Sequence, residues 1–439
     1  MHKVTKVTKG VLAASLALTV AWPALAQTEV VVWVGGEPGQ ATVYDTVAEQ
    51  FNAENPDIKI EIVKTPSDLF NPALLPALSS GEGPDLFMFG TGPGQPAAII
   101  DGGLVADLTP YFNENNWGAT IPEGVINQTS SGGKLWAVGN EVETTAMFYN
   151  KKIFADNGIA VPETWADMTA AVGALQAAGF DTPIGLAAAD KWPVSHWQSM
   201  MFGRYAGPEG INDVMFGDGA WSDAPFVAAS ARLQQMGDDG WFGPNPVAVG
   251  YAELMDDFWA GNIPMTYTGP WIIPGGLEAV GDRAGEYGVF QVPPFEDGQR
   301  IYPTESIGSG MYIRVNSDAK DAAVAFLNRL FFTTEGRATL LSGGTVPVGP
   351  LDDALAAADI PQLNQDIGGS ADQYRGNGTI PAFLDTITPG NLTTASYDGL
   401  QALLLNVMTP EEFTAELQAQ WQIAKDEGTI LAPGGLSAQ

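Results

Sequence analysis

The sequence of 439 residues contains no cysteine, and this absence removes whole classes of chemistry. Disulfide frameworks, thiolate zinc sites and cysteine nucleophiles are excluded. Only two histidines are present, and one of them is His2, at the amino terminus. A Ser-His-Asp triad would depend on His196, and no Gly-x-Ser-x-Gly turn is present to supply the serine. We therefore expect no metal and no cofactor. A pair of carboxylates, as in glycoside hydrolysis, is the enzymatic chemistry that stays open from composition, although the sequence as a whole predicts a protein without enzymatic activity.

Basic residues are also scarce, with 19 Lys and Arg against 51 Asp and Glu, and the formal net charge is −32. Such a surface repels nucleic acid and anionic lipid head groups. The acidic residues are spread along the chain, which is not the pattern of a disordered acidic tail. We expect no nucleic-acid partner and no direct insertion into a membrane.

Long apolar runs are missing apart from residues 11–20, which are too few to span a membrane. Lys3, Lys6 and Lys9 precede this run, and Ala24-Leu25-Ala26 follows it. These are the three parts of a secretory signal peptide, and we predict cleavage after Ala26; an uncleaved anchor helix is the alternative. A lipoprotein needs a cysteine at the cleavage point, so we expect an unlipidated periplasmic protein.

The remaining composition is that of a large globular protein. Hydrophobic residues make up 45% of the chain, and its length exceeds what one hydrophobic core usually serves. Two domains are therefore expected. The 52 glycines and 31 prolines are not periodic, which indicates many turns and excludes a fibrous protein.

The first part of the chain alternates between predicted strands and predicted helices. Residues 29–34 (EVVVWV), 58–63 and 85–89 (DLFMF) have the apolar or alternating pattern of strands, whereas 42–55 and 69–79 have helical spacing. This alternation predicts an α/β fold with a mostly parallel sheet covered by helices. In such sheets ligands bind beyond the carboxyl ends of the strands.

Two glycine-rich stretches, 35–39 and 90–94, fall at those carboxyl ends. The second begins Gly90-Thr91-Gly92, but it lacks both the GxGxxG spacing and the lysine of a phosphate-binding loop. We interpret it as a tight turn that lets the backbone approach a neighbour.

The rest of the chain continues this mixed pattern. Residues 190–198 are polar, and we interpret them as a loop. The strands predicted here are 135–142, 146–150, 264–269 and 311–315, and the helices are 151–158, 165–178, 253–260, 319–332 and 411–425.

Five stretches of the sequence resemble the family 1 extracellular solute-binding proteins, the maltose-binding-like receptors of ATP-driven sugar importers, and they follow one another along the chain in the family's order. The most specific is GKLWAVGNEVETTAMFYNKKIFADNG at 133–158, followed by Pro162-Glu163-Thr164-Trp165. A departure is Asn262, where the family commonly has lysine. The other stretches are Phe51 with Asn55-Pro56-Asp57-Ile58, GEGPDLF at 81–87, FWAGNIPMTYTGPW at 258–271 and residues 322–348 with Thr334-Glu335-Gly336.

The resemblance implies a two-lobe periplasmic binding protein fold, with a hinge that the chain crosses three times and a ligand cleft between the lobes. Mapped onto this sequence, lobe one is 27–142 with 310–346, and lobe two is 143–309 with 347–439. It also implies a monomer that captures a sugar by hinge closure and delivers it to the membrane permease of an ABC transporter.

A sugar presents hydroxyl groups and apolar C–H faces, so its site needs flat aromatic rings together with polar side chains. Trp271 follows a predicted strand directly, and we expect it at a strand end, not in mid-core, and stacked on the ligand; packing in the core is the alternative. Trp192 and His196 belong to the polar segment 190–198, and either ligand contact or packing suits them. Trp33 is assigned to the core, and Trp136 and Trp165 to packing.

Acidic side chains are the second group of candidates. Glu37 follows the first predicted strand and would face the cleft. Glu141 and Glu143 share one strand face by the two-residue period. The resemblance places Glu143 at a family carboxylate position beside the hinge, and hydrogen bonding within the hinge is the alternative role.

Further candidates offer amide, hydroxyl or backbone groups. Asn140 adjoins the acidic pair, and Gly90 and Thr91 lie in the second glycine-rich turn. Ser306 and Gly308 precede the strand 311–315 at a hinge crossing, where the glycine could instead serve the hinge. Arg375, in a glycine-rich loop, is the last candidate.

The sequence therefore predicts the periplasmic substrate-binding component of an ABC importer for a carbohydrate, an oligosaccharide or glycoside. The same receptor fold could instead bind a polyol, a polyamine or a betaine, because acidic charge and aromatic rings suit cations. A secreted glycosidase that uses two acids, such as Glu141 and Asp256, is the alternative from another class.

Overall fold

The structure is a computed structural model, and it describes residues 27–35, 38–65, 67–92 and 94–430. The predicted signal peptide and Glu37 lie outside these residues. None of the helices in the described part of the chain is long and apolar enough to cross a membrane.

The first of two main sheets has five strands. The first three strands in chain order pair in parallel, as their alternation with helices predicts, and the other two pair antiparallel. In spatial order these strands are Ile58–Thr65, Thr28–Gly35, Leu86–Gly90, Ser309–Ile313 and Val138–Gly139.

Both faces of this sheet are covered, which explains why its strands are apolar along their length. On one face Val30 and Val32 belong to a core shared with Phe326 of the helix Lys320–Phe331. On the other face Phe87 stacks on Tyr312, with 5.7 Å between ring centroids.

The second main sheet has four strands and is mostly antiparallel, so the expectation of a mostly parallel sheet is wrong here. Its strands are not separated by single crossover helices, and neighbouring strands can therefore run in opposite directions. In spatial order they are Tyr287–Phe290, Ala146–Asn150, Met265–Thr268 and Ile184–Gly185. Short two-stranded ladders join Thr304–Glu305 to Ile380–Pro381 and Ser130–Ser131 to Lys134–Leu135.

Helices surround both sheets. In chain order the α-helices of the described residues are Pro38–Glu54, Ser67–Ser80, Ala97–Asp101, Thr109–Glu114, Glu123–Gln128, Lys151–Asp156, Trp165–Ala177, Trp192–Phe216, Ala224–Asp238, Tyr251–Ala260, Ile273–Val280, Lys320–Phe331, Thr334–Ser342, Asp352–Ala357, Gln362–Asp372, Leu384–Ile387, Gly390–Leu404 and Pro410–Glu427. The helix Trp192–Phe216 is interrupted at Gly207, whose φ is +72°.

The expected loop at 190–198 is wrong, because a helix begins at Trp192. Pro193 suits the first turn of a helix, where its missing N–H has no intrahelical partner. The polar residues Ser195, His196 and Gln198 are all buried. Because the helix is enclosed on all sides, it lacks the apolar stripe by which a surface helix is recognised.

Three chain segments meet between the two sheets. Glu143 and Ser306 exchange backbone hydrogen bonds of 2.9 and 3.0 Å (N–O), and the Val142 N–H donates to the Val346 carbonyl at 2.9 Å. The predicted strand 135–142 is therefore only partly correct. Beyond Gly139 the chain pairs with one segment and then another, which prevents a single regular strand.

One carboxylate connects the first sheet to the turn that precedes its third strand. Asp85 accepts hydrogen bonds from the Val31 N–H (3.0 Å), from Arg314 Nη2 (3.1 Å) and from Ser317 Oγ (2.7 Å). The side chains of Asp85 and Arg314 are 14% and 15% exposed.

We predict that Asp85→Ala lowers the free energy of unfolding by about 2–4 kcal/mol, because it leaves the largely buried Arg314 guanidinium without its carboxylate and the Val31 N–H without its acceptor. Denaturant unfolding would measure this loss. Asp45, in a surface ion pair with Lys64, is the matched control, and Asp45→Ala should cost less than about 1 kcal/mol. Equal costs for the two variants would contradict the assignment.

Candidate functional site

An aromatic cluster forms where four elements meet beside the second sheet. Trp192 and His196 lie one turn apart on the helix Trp192–Phe216, and Tyr251 is the first residue of the helix Tyr251–Ala260. Trp271 lies in the short turn that follows the strand Met265–Thr268, and Phe383 precedes the helix Leu384–Ile387. We call these five residues the aromatic cluster.

The rings of the aromatic cluster contact one another closely. The centroid of Trp192 lies 4.3 Å from that of Tyr251 and 6.0 Å from that of Trp271, edge to face. The His196 ring lies 4.2 Å from Phe383 and 5.6 Å from Trp271. Trp192 is only partly buried, whereas the other four are buried. Trp192 is therefore the member with the most accessible ring surface.

Trp271 is only 8% exposed and belongs to a hydrophobic core, so the expectation that it does not lie in mid-core is wrong. Its Nε1 donates to Tyr251 Oη at 2.8 Å, and Tyr251 Oη lies 2.6 Å from Thr268 Oγ1. The turn Pro270–Ile272 after the strand places the indole against its aromatic neighbours.

His196 is neutral at ordinary pH, because burial lowers its pKa from 6.5 to about 3. Its Nδ1 has no hydrogen-bond partner among the described residues. A neutral imidazole between aromatic rings offers a flat surface and a single donor and acceptor, but no positive charge.

Glu141 and Glu143, the carboxylate pair, lie at the meeting point of the three chain segments and are 0% and 6% exposed. The Glu143 carboxylate rests against Gly308, where a Cβ would lie 2.2 Å from Oε2. The pKa of Glu143 is raised well above 4.5, first by burial and then by the charge of Glu141, while a backbone hydrogen bond from Gly308 opposes the shift.

Asp385 is a third buried acid, and no local sequence pattern marks it as a site residue. Burial raises its pKa from 3.8 to about 6. Tyr397 Oη donates to its Oδ2 at 2.5 Å, and Gln95 Nε2 approaches the same oxygen at 3.4 Å. The Asp385 charge also raises the pKa of Glu143. Since Phe383 lies two residues away, this segment connects the aromatic cluster with the carboxylate pair.

The turn after the third strand of the first sheet contacts this same segment. The Cα of Gly92, at φ +82°, lies so close to the Thr386 carbonyl that a Cβ would be 1.2 Å from its oxygen. Gln128 Nε2 donates to Thr91 Oγ1 at 2.9 Å and approaches Thr386 Oγ1 at 3.2 Å. The carboxyl end of the first sheet therefore faces the segment that carries Asp385.

Three predicted site residues make their hydrogen bonds inside the protein. Thr91 is fully buried, and its Oγ1 donates to the Ile307 carbonyl at 2.6 Å. Asn140 is fully buried and accepts at Oδ1 from the Glu141 N–H and from Ser309 Oγ. The Gly90 carbonyl accepts from Tyr312 Oη at 2.7 Å.

The remaining predicted residues divide between the hinge and the surface. Ser306 pairs with Glu143 through the backbone, and Gly308 supports the Glu143 carboxylate. Arg375 is exposed and forms ion pairs with Glu305 and Asp372. None of the ion pairs given for Arg375 within the described residues reaches the aromatic cluster.

Together these groups present aromatic rings beside buried acids, with amides from Gln95 and Gln128 on the other side. Such a surface can stack on a flat ligand and accept hydrogen bonds from it. Because acids predominate, the arrangement suits an uncharged polyhydroxylated molecule or a cation, and it disfavours an anion.

Sequence comparison relates the chain to proteins that bind sugars. It is 26% identical over 308 residues to the maltotriose-binding protein of Pyrococcus abyssi, covering 70% of this chain and 62% of that protein, which is less than two thirds of its length. It is 25% identical over 323 residues to the galactooligosaccharide-binding protein of Bacillus subtilis, covering 70% and 69%.

Solved structures share the fold. A chitin oligosaccharide binding protein matches with a TM-score of 0.75 at 23% identity, over 91% of this chain and 99% of that one. A receptor of Streptomyces glaucescens, solved unliganded and with acarbose, matches with a TM-score of 0.70 at 19% identity, over 90% and 98%. The chain has their two-lobe α/β architecture. The family model described as "Bacterial extracellular solute-binding protein" matches residues 35–335, more than half of the chain, and the protein belongs to that family.

Proposed function

We propose that this protein is the periplasmic substrate-binding component of an ABC importer and that it captures a carbohydrate. The observation that carries the proposal is the aromatic cluster beside three buried acids at the junction of the two sheets. Relatives named for maltotriose and galactooligosaccharides support the choice of sugar. The membrane permease is the proposed receiver, and the protein acts as a monomer.

The proposed mechanism is capture by closure. Periplasmic binding proteins are a standard example of hinge closure around a ligand. A ligand that contacts both lobes shifts the balance toward the closed state by its differential affinity for that state. The proposed lobes are 27–142 with 310–346 and 143–309 with 347–439, and the strand membership of the two sheets supports this division.

Within this cleft we propose distinct roles for the site residues. Trp192 stacks on a sugar face, and Trp271 and His196 form the wall behind it. Glu141 and Glu143, and with them Asp385, accept hydrogen bonds from hydroxyl groups. Gly90, Thr91, Asn140, Ser306 and Gly308 hold the hinge in shape, while Glu37 and Arg375 are proposed as further ligand contacts.

Transport without catalysis fits the geometry better than hydrolysis. Asp256 lies in a separate groove of about 560 Å³ beside Trp259 and Gly276, whereas Glu141 is buried at the hinge. Glycoside hydrolysis needs two acids that flank one bond. Incubation with oligosaccharides should therefore release no reducing sugar, and steady release would overturn the proposal.

A thermal-shift screen tests the choice of ligand. The panel is maltotriose, raffinose, galactose, chitobiose, sorbitol, spermidine and glycine betaine. A cognate sugar at about 100 times its dissociation constant should add roughly 2.7 kcal/mol to the free energy of unfolding. A thermal shift with spermidine or glycine betaine, and none with any saccharide, would show that the ligand is a cation and not a sugar. Three buried acids beside aromatic rings would also favour a cation.

We predict that Trp192→Ala weakens binding of the panel sugar with the largest shift by about tenfold or more, because it removes the most accessible ring of the aromatic cluster. Titration calorimetry would measure the affinity. The control is Trp136→Ala, since Trp136 is a half-buried indole bound to Ser131 on the first sheet's side. Affinity that is unchanged in Trp192→Ala, or equally reduced in both variants, would remove Trp192 from the site.

We predict that Glu143→Gln stabilises the ligand-free protein more at pH 8 than at pH 5. Since the folded-state pKa of Glu143 is raised, its favourable contribution is complete below pH 4.5 and is lost as the pH rises through that raised pKa. The glutamine amide carries no charge and can donate to Glu141, so the gain at pH 8 should be at least about 1 kcal/mol.

Denaturant unfolding at the two pH values checks this prediction. Glu61→Gln, which alters an exposed strand residue, should change stability equally at pH 5 and pH 8. A gain for Glu143→Gln that is the same at both values, or larger at pH 5, would contradict burial of the Glu143 charge.

A further inference from the structure

No sequence motif singles out Tyr251, yet its side chain contacts Trp192 and Trp271, the two tryptophans proposed to form the site. Its ring lies 4.3 Å from the Trp192 ring, and its hydroxyl accepts a hydrogen bond from the Trp271 indole N–H at 2.8 Å. Tyr251 itself is 3% exposed. Its hydroxyl lies 2.6 Å from Thr268 Oγ1, at the end of the strand that precedes the turn of Trp271.

The backbone of Tyr251 is fixed to the segment that carries Trp192. Its N–H donates to Asp190 Oδ2 at 2.6 Å. Asp190 is separated from Trp192 by one residue, Lys191, whose φ of +65° turns the chain sharply into the helix. The first residue of the helix Tyr251–Ala260 is therefore bound to Asp190, just before the helix Trp192–Phe216 begins. This contact sets where the Trp192 ring can lie.

We infer that Tyr251 is a positioning residue that fixes the orientation of Trp271 through its hydroxyl and of Trp192 through its ring, so that the two indoles form one binding wall. The inference rests on the proposed function as far as the wall is used by a ligand. The orientation of the indoles is a property of the ligand-free protein and is tested separately.

The Tyr251 hydroxyl determines the orientation of Trp271, because the indole N–H of Trp271 can only donate and therefore needs an acceptor. Without an acceptor, a buried N–H favours any rotation that returns it to water. Tyr251→Phe keeps the ring against Trp192 and removes the hydroxyl, which is the acceptor for the Trp271 N–H and the partner of Thr268 Oγ1. Tyr251→Phe therefore separates positioning of Trp271 from packing of the aromatic cluster.

The test is a double-mutant cycle on the full chain, with Tyr251→Phe, Trp271→Phe and both changes together. Affinity is measured with whichever of maltotriose, raffinose, galactose or chitobiose gives the wild type its largest thermal shift. We expect Tyr251→Phe to weaken binding about tenfold, the size of one lost buried hydrogen bond. In the Trp271→Phe background the same change should have no effect, because phenylalanine has no N–H to orient.

Tyr287→Phe is the matched control. Tyr287 is also buried in the same hydrophobic core, and its hydroxyl donates to the Trp259 carbonyl at 2.8 Å, but it makes no ring contact with the aromatic cluster. This variant loses a comparable hydrogen bond and should bind sugar as the wild type does. An equal loss in Tyr287→Phe would mean that affinity reports stability alone, which would overturn the inference.

The ligand-free arm uses fluorine NMR of protein labelled with 5-fluorotryptophan, with resonances assigned from Trp271→Phe and Trp192→Phe. Tyr251→Phe should shift or broaden the Trp271 resonance, and Tyr287→Phe should leave it in place. An unmoved Trp271 resonance would overturn the inference whether or not a sugar binds. Failure of every sugar to bind would by itself overturn only the proposed function. A moved resonance with unchanged sugar affinity would also overturn it.

Discussion

Two neighbouring carboxylates are buried at the crossing of three chain segments, and the cost of burying their charge limits which groups can surround them. Glu141 and Glu143 lie where backbone hydrogen bonds connect residues 142–143 to 306 and 346. Charges in such a place are costly unless they share protons and donors, which explains the backbone hydrogen bond from Gly308 to Glu143 and the raised pKa of Glu143. The crossing segments therefore join the two lobes and also carry two buried acids.

The two sheets contribute differently to the site. The first brings a turn and amides close to the Asp385 segment, with Gly92 against the Thr386 carbonyl. The second carries the aromatic cluster on elements that follow its strands. Trp271 owes its place to the strand before it, and Trp192 to a helix whose start is bound to Tyr251 through Asp190. The first sheet thus places amides, and the second places aromatic rings, on opposite sides of the junction between the two sheets.

The sequence predicts those features that local periodicity encodes. The strands near residues 30, 60 and 87 and the helix that follows the first strand were predicted because each buries a regular apolar pattern. The helix at Trp192 was missed because it is enclosed and carries polar residues inside. Asp385 and Tyr251 were missed because only their tertiary neighbours distinguish them, and Asp385 lies beyond residue 335, where the match to the family model ends. Signal cleavage, Glu37 and the lobe boundaries stay predictions.

The pairing of three separate crossings limits how the lobes can move. A single connecting strand would let two bodies swivel and twist freely, whereas three strands joined side by side by backbone hydrogen bonds resist torsion and yield mainly by bending across their common plane. In the proposed closure, the lobes therefore move mainly about a single axis. Such a motion would return Trp192 and Trp271, and the amides of Gln95 and Gln128 opposite them, to the same alignment each time the lobes close.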